Sequence, residues 1–138
     1  MKRIIALALL AISTFSASSI FAQNRALKAD VPFGFSVGGA QLPADTYLIT
    51  SVSSGMVLIR NARGGPSAIV STLQGESKPT DSNKLVFARY GDHYFLHRIV
   101  CPTGGGMNVD IPSSKQEKKI RSERSTLDRG DVAVLELK

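Results

Sequence analysis

The sequence predicts an all-β domain, a small antiparallel barrel or two-layer sandwich of about seven or eight short strands with one charged C-terminal helix. Three observations predict it. Runs rich in valine, isoleucine, threonine and aromatic residues recur along the chain. Glycine, proline, asparagine and aspartate punctuate them at short intervals. Near the C-terminus one charged run instead places opposite charges four residues apart, a helical spacing.

The first element lies outside that domain. Lys2 and Arg3 charge the N-terminus, residues 4–12 (IIALALLAI) form an unbroken apolar stretch, and residues 13–22 soften into small residues ending at Ala22. This is the layout of a signal peptide over residues 1–22, cleaved between Ala22 and Gln23. An uncleaved anchor is the competing reading. Ser13, Thr14, Ser16, Ser18 and Ser19 lower the hydrophobicity of the segment and weigh against a stable bilayer span. The expected location is therefore periplasmic or extracellular, with no integral membrane span after processing. Residues 23–138 then form a single β-rich domain. A chain of that size buries roughly 65% of its unfolded surface, enough for one core.

Residues 31–37 (VPFGFSV) put Val31, Phe33, Phe35 and Val37 on one side, and Pro32 suits an edge or a strand start. Gly38-Gly39 and 42–45 (LPAD) make a turn before the strand 46–52 (TYLITSV). Ser53-Ser54-Gly55 turns into 56–60 (MVLIR), a run suited to a buried strand. Gly64-Gly65-Pro66 breaks the chain before the strand 67–73, and 74–83 is a polar loop. The clearest hairpin joins 84–90 (KLVFARY) and 93–100 (HYFLHRIV) around Gly91-Asp92.

Unbroken pairing from that turn puts Leu85, Phe87 and Arg89 opposite Arg98, Leu96 and Tyr94. The other face carries Lys84, Val86, Ala88 and Tyr90 opposite Ile99, His97, Phe95 and His93. Both faces are apolar in the middle, so both are expected to be covered. Val86, Phe95, His97 and Ile99 form the expected apolar binding or oligomer face. After residues 102–106 (PTGGG), a short strand at 107–111 precedes the helix at about 113–125. Ser113 with Gln116, or Ser114 with Glu117, has capping-box spacing. Glu117 with Arg121 and Lys119 with Glu123 read as surface pairs. Ile120 is the only apolar residue of the helix, which predicts a mostly solvated helix at the sheet edge. Residues 131–137 (DVAVLEL) make the last strand.

The blocks Val31-Pro32-Phe33 with Leu42-Pro43-Ala44, and Arg89-Tyr90-Gly91-Asp92 with Tyr94-Phe95-Leu96, resemble a group of short exported proteins of unknown function. Such proteins occur in many copies in some soil-bacterial genomes. The resemblance spans nearly all of the chain beyond the leader. It implies export and a β-rich domain, and it implies no reaction. Similar members usually carry glycine at the position of Asp45, and aspartate tolerates left-handed turn geometry better than most residues.

Seventeen basic against eleven acidic residues give a formal charge of +6, part of it in the leader. This mild, dispersed excess argues against a nucleic-acid partner and fits solubility or an anionic surface. A lone cysteine, Cys101, excludes an internal disulfide and a cysteine-built zinc site; it is either buried, the commoner state, or free to pair between chains.

The remaining motifs are weak. Residues 34–38 match G-x-S-x-G around Ser36, but 39–43 (GAQLP) cannot start the helix that a nucleophile elbow needs. His93 and His97 share a strand face about 13 Å apart, too far for one ion, and Cys101 is no closer. Residues 104–106 lack the lysine and helix start of a phosphate loop. Arg129-Gly130-Asp131 spells an adhesion tripeptide, with Gly130 serving as a stop before the last strand.

The expectation is an exported, non-catalytic binding or structural module with no catalytic residues, metal or cofactor. Its partner is undefined, with a homo-oligomer or an envelope component among the options. Two alternatives stand beside it. A small periplasmic hydrolase would use Ser36, Asp92 and the two histidines. An envelope or anionic-glycan binder would use the basic helix at 115–124.

Overall fold

The computed structural model describes residues 26–76, 82–103, 106–124 and 130–137. The expected signal peptide, with its expected Ala22–Gln23 junction, lies outside these residues, as do Gly104, Gly105 and Arg129.

The chain is mostly β, with one helix. In order come β1 (Leu27–Val31), β2 (Phe35–Val37), β3 (Ala40–Leu42), β4 (Asp45–Ser53), β5 (Met56–Asn61) and β6 (Ala68–Ser71). Then follow β7 (Leu73–Gln74), β8 (Lys84–Tyr90), β9 (His93–Cys101), β10 (Met107–Asp110), α1 (Lys115–Arg124) and β11 (Asp131–Glu136). Two curled sheets make a half-barrel. The first has the order β1-β4-β5-β6 and the second β11-β8-β9-β10-β7, with the β2–β3 hairpin joined to β9 through β2.

The strands outnumber the predicted set because two predicted strands change sheets midway. In 31–37 the chain leaves the first sheet at Val31 and joins the second at Phe35. Pro32 has no N–H to give, so pairing stops there at no cost. In 67–73 the break falls at Thr72, whose N–H donates to the Gly55 carbonyl at 2.8 Å. The added β3 follows from Gly38-Gly39, both with positive φ (56° and 87°). They form a two-residue hairpin turn closed by Val37 and Ala40.

Gly91-Asp92 also turns as predicted, with Tyr90 opposite His93. The unbroken register does not survive. Phe87 pairs with Leu96, but Val86 pairs with Arg98 and Leu85 with Ile99, so His97 is an extra residue on β9. This bulge reverses the faces beyond it. Leu85, Phe87, Leu96 and Ile99 all join one core, and Arg98 turns to the opposite side.

That core is dominated by aromatic rings. Phe35 packs edge-on against Tyr47 (5.4 Å between ring centres) and Phe87 (5.5 Å). Phe33 meets Phe87 edge-on at 5.0 Å and stacks on Tyr94 at 4.0 Å. The Tyr47 hydroxyl, at the margin, donates to the Pro43 carbonyl at 2.6 Å. Cys101 is buried and free, as expected. No helix among the described residues is long and apolar enough to cross a membrane.

Candidate functional site

The predicted apolar face does not exist as one surface. Ile99 is fully buried in the core on the inner side of the second sheet. Phe95 lies on the outer side and is only 2% exposed. Val86 is half-buried beside it, and His97 is the bulge residue. The four were grouped by a register that the bulge breaks. Both faces of the hairpin are nonetheless covered near the turn, as their composition predicts.

Helix α1 packs on β8 and lies over the outer side. Its start follows from capping: the Glu117 N–H donates to the Ser114 Oγ at 3.2 Å. The Glu117 side chain does not pair with Arg121 on the surface. It is 2% exposed and turns into the sheet. There its Oε1 meets His97 Nε2 and, at 3.4 Å, the Tyr90 hydroxyl. Burial, and then the Glu117 charge, raise the Tyr90 phenol above its usual range, with Arg121 opposing. Glu117 is the only buried residue of α1 and Ile120 is half-exposed, so a carboxylate seats this helix. The bulge makes that possible, because it frees His97 from the strand ladder. The His97 carbonyl accepts the Ile111 N–H at 2.7 Å, which leads the chain toward α1.

Two clefts remain. The first, about 210 Å³, is polar and lies where β2 runs beside β9. Ser36, Gln41, Asp92 and His93 line it, with Tyr94 at one wall. Three of the four residues on which a hydrolase would rest are therefore neighbours, and His97 is not among them. Ser36 pairs with Gln41 across β2–β3 and faces Phe95 on β9, which fixes its position on the sheet. It is only 8% exposed. Among the described residues no hydrogen bond links Ser36, Asp92 and His93 to one another. A nucleophile would require a base within hydrogen-bond reach. The adjoining turn is tight: Arg89 Nε donates to the Gly91 carbonyl at 2.9 Å. The Arg124 guanidinium of α1 lies over Gly91, where any Cβ would collide with it.

The second cleft, about 350 Å³, lies between the ends of β1 and β4 and Leu135 of β11. Val31, Pro32, Ala44 and Leu135 give it an apolar floor, and Asp30, Asp45 and Arg63 a charged mouth. Asp45 does not adopt the left-handed geometry anticipated from the glycine of similar proteins. No described non-glycine residue has positive φ, and Asp45 opens β4 opposite Val31. Its carboxylate accepts Asn61 Nδ2 at 3.1 Å and its neighbour's N–H, Thr46 N, at 2.8 Å. Arg63 Nε lies 3.4 Å away. The Asn61 bond, then the Thr46 N–H, hold this carboxyl below its usual range, outweighing the opposing effect of burial.

Among the described residues no group of three or more histidine, cysteine or acidic side chains could hold a metal ion. Sequence reasoning missed Glu117 and Asn61 as organising residues. The only signal for Glu117 was a helix with too little apolar surface to dock by packing. Asn61 precedes a glycine-rich break, where an asparagine side chain often closes a turn. Here its Oδ1 accepts the Arg63 N–H at 2.8 Å. Comparison of the chain with protein-family models, curated proteins and solved structures finds no match.

Proposed function

We propose that this chain is an exported, non-catalytic binding module that holds a small hydroxylated molecule in the cleft lined by Ser36, Gln41, Asp92 and His93. The observation that carries this reading is Ser36. Its hydroxyl sits on a nearly buried residue at the cleft, with no hydrogen bond to another described residue. A hydroxyl, an amide, a carboxylate and an imidazole together offer donors and acceptors to a ligand whose groups do both. The export-type leader and the resemblance to short exported proteins support the compartment.

A second reading, a small periplasmic hydrolase, is favoured by the gathering of Ser36, Asp92 and His93 in the same cleft. The two readings separate on one protein sample. Titration with glucose, N-acetylglucosamine and glycerol, followed by amide chemical shifts, should move Ser36, Gln41, Asp92 and His93, and Ser36→Ala should weaken the effect. A fluorophosphonate probe should leave Ser36 unlabelled. Labelling that vanishes in Ser36→Ala would replace binding with hydrolysis. No shift with any of the three probes and no labelling would remove the cleft from both readings.

A further inference from the structure

We infer that the tip of the β4–β5 hairpin, with β6 beside it, is a membrane-docking surface that seats in the headgroup layer of a lipid bilayer. Among the described residues six large apolar side chains stand exposed, and four of them gather there: Val52 (47%), Met56 (41%), Ile69 (62%) and Leu73 (62%). The strand registers bring them together. On the outer face of the first sheet Met56 pairs with Ser71, and Leu58, two residues on, pairs with Ile69 and with Thr50. Val52 lies at the irregularity where β4 turns toward β5. Leu73 follows Thr72, whose N–H donates to the Gly55 carbonyl of that turn. Residues 51–56 are all exposed, so the tip projects from the sheet and does not line a groove.

Composition singles out the same end of the sheet. Charged residues make up 20% of the chain, yet the runs 46–59 and 64–75, which meet at the tip, contain none. The charges nearest by register or sequence are Lys28 and Arg60, which flank Leu48, Asp30 two residues past Lys28, Asp110 opposite Leu73 with its partner Arg98, and Glu76. Three are basic and three acidic, so charge selects no partner here and the apolar surface does. Ser51, Ser53, Ser54 and Ser71 rim that surface with hydroxyls. Such a tip suits a bilayer interface, where apolar side chains reach the acyl boundary and hydroxyls stay among hydrated headgroups. The course of the chain favours a bilayer over a second protein. β1 begins at Leu27 opposite Ile49 and ends at Val31 opposite Asp45, so the chain enters the first sheet from the side of the tip. The tip lies about 13 Å beyond Ile49 along β4. The apolar leader expected at 1–22 ends five residues before Leu27, a reach of at most about 18 Å. A bilayer that receives the leader is thus within reach of the tip.

The chain contains no tryptophan, so one introduced indole reports on its own surroundings. Val52→Trp, at the tip, and Val134→Trp, at an exposed position of β11, are mixed as full-length protein with phosphatidylcholine vesicles, with and without phosphatidylglycerol, at low and at high salt. The emission of Val52→Trp should shift to the blue and be quenched by brominated phosphatidylcholine, and that of Val134→Trp should do neither. Binding should survive high salt and need no phosphatidylglycerol, because the tip carries no charge. Ile69→Ser with Leu73→Ser, both at exposed positions, should weaken vesicle binding of Val52→Trp about tenfold. Vesicle binding without a change at Val52→Trp would assign the attachment to the leader alone and overturn the inference. Equal quenching of the two indoles, binding confined to phosphatidylglycerol vesicles at low salt, or no binding at all would also overturn it. A blue shift of Val52→Trp that grows with protein concentration in the absence of vesicles would give the tip to a second copy instead.

Discussion

On its inner side the β8–β9 pair presents Leu85, Phe87, Leu96 and Ile99 to an aromatic core, whereas on its outer side Tyr90 and His97 meet a helix anchored by a carboxylate. The inner contact is non-directional. Any well-packed apolar group of the right volume contributes, and the loss scales with the surface uncovered. The outer contact is directional. Glu117 serves only if α1 sits in the one rotation that brings its Oε1 to His97 and Tyr90. Its place in the first turn also sets its charge at the positive end of the helix. Packing therefore gives the sheet most of its stability, and a small polar contact decides where the helix lies.

The comparison breaks most visibly if the two sides are emptied in turn. Phe87→Ala, at a fully buried ring, should cost about 3–5 kcal/mol and lower the denaturant midpoint of the whole protein. Glu117→Ala leaves Tyr90 and His97 without their acceptor and should cost about 1–3 kcal/mol. Its readout differs in kind. Amides of α1 should exchange rapidly while those of β8 and β9 stay protected, because the helix is released from an intact sheet. Equal loss of protection in helix and sheet would show that α1 belongs to the same cooperative unit, and the contrast would fail.

Tyr90→Phe sharpens the same contrast with a smaller effect. The hydroxyl lies 3.4 Å from Glu117, a long contact, so its loss should cost about 0.5–1 kcal/mol. The pH dependence carries more information. Burial and the Glu117 charge raise the Tyr90 phenol above its ordinary 10.0, so the fold holds the phenol proton more tightly than the unfolded chain does. That contribution is fully present below the ordinary value and is lost as pH rises through the folded one. Melting temperature should thus fall in alkali, and less so in Tyr90→Phe. Some fall should persist, since burial raises the Tyr47 phenol as well.

Much of the fold was legible because strands and turns leave local marks. The period of two in 84–90 and the Gly91-Asp92 turn marked the hairpin, and the Ser113-Ser114 pair marked the helix start, with Ser114 the one that caps. The features that shape the candidate sites left none. A bulge at His97 needs no special residue type, yet it moves Ile99 from the outer face into the core. The passage from one sheet to the other at Pro32 and Thr72 depends on what closes around the core. Ser36 and His93 become neighbours through a parallel contact of β2 with β9, and parallel contacts join segments distant in sequence without a turn to signal them. Glu117 looked like any solvated glutamate, because a charged helix hides which of its charges is buried.

A partly buried polar tie supplies the weakest case in the series. Asp45 joins β4 to Asn61 and Arg63 at the mouth of the second cleft, with its side chain 20% exposed against 2% for Glu117. Its carboxyl is held below its ordinary 3.8, chiefly by the Asn61 bond and then by the Thr46 N–H. The folded chain therefore binds that proton less readily than the unfolded one. The resulting stability is present above the ordinary value and disappears as pH falls through the folded one. In Asp45→Asn the acid limb of the melting-temperature profile should be shallower than in the parent, with little change near neutrality. The Glu117→Ala helix should stay released at neutral pH under the same conditions. If Asp45→Asn instead disturbed the protein at neutral pH as much as Glu117→Ala, depth of burial would not be what separates a polar contact that positions an element from one that merely decorates it.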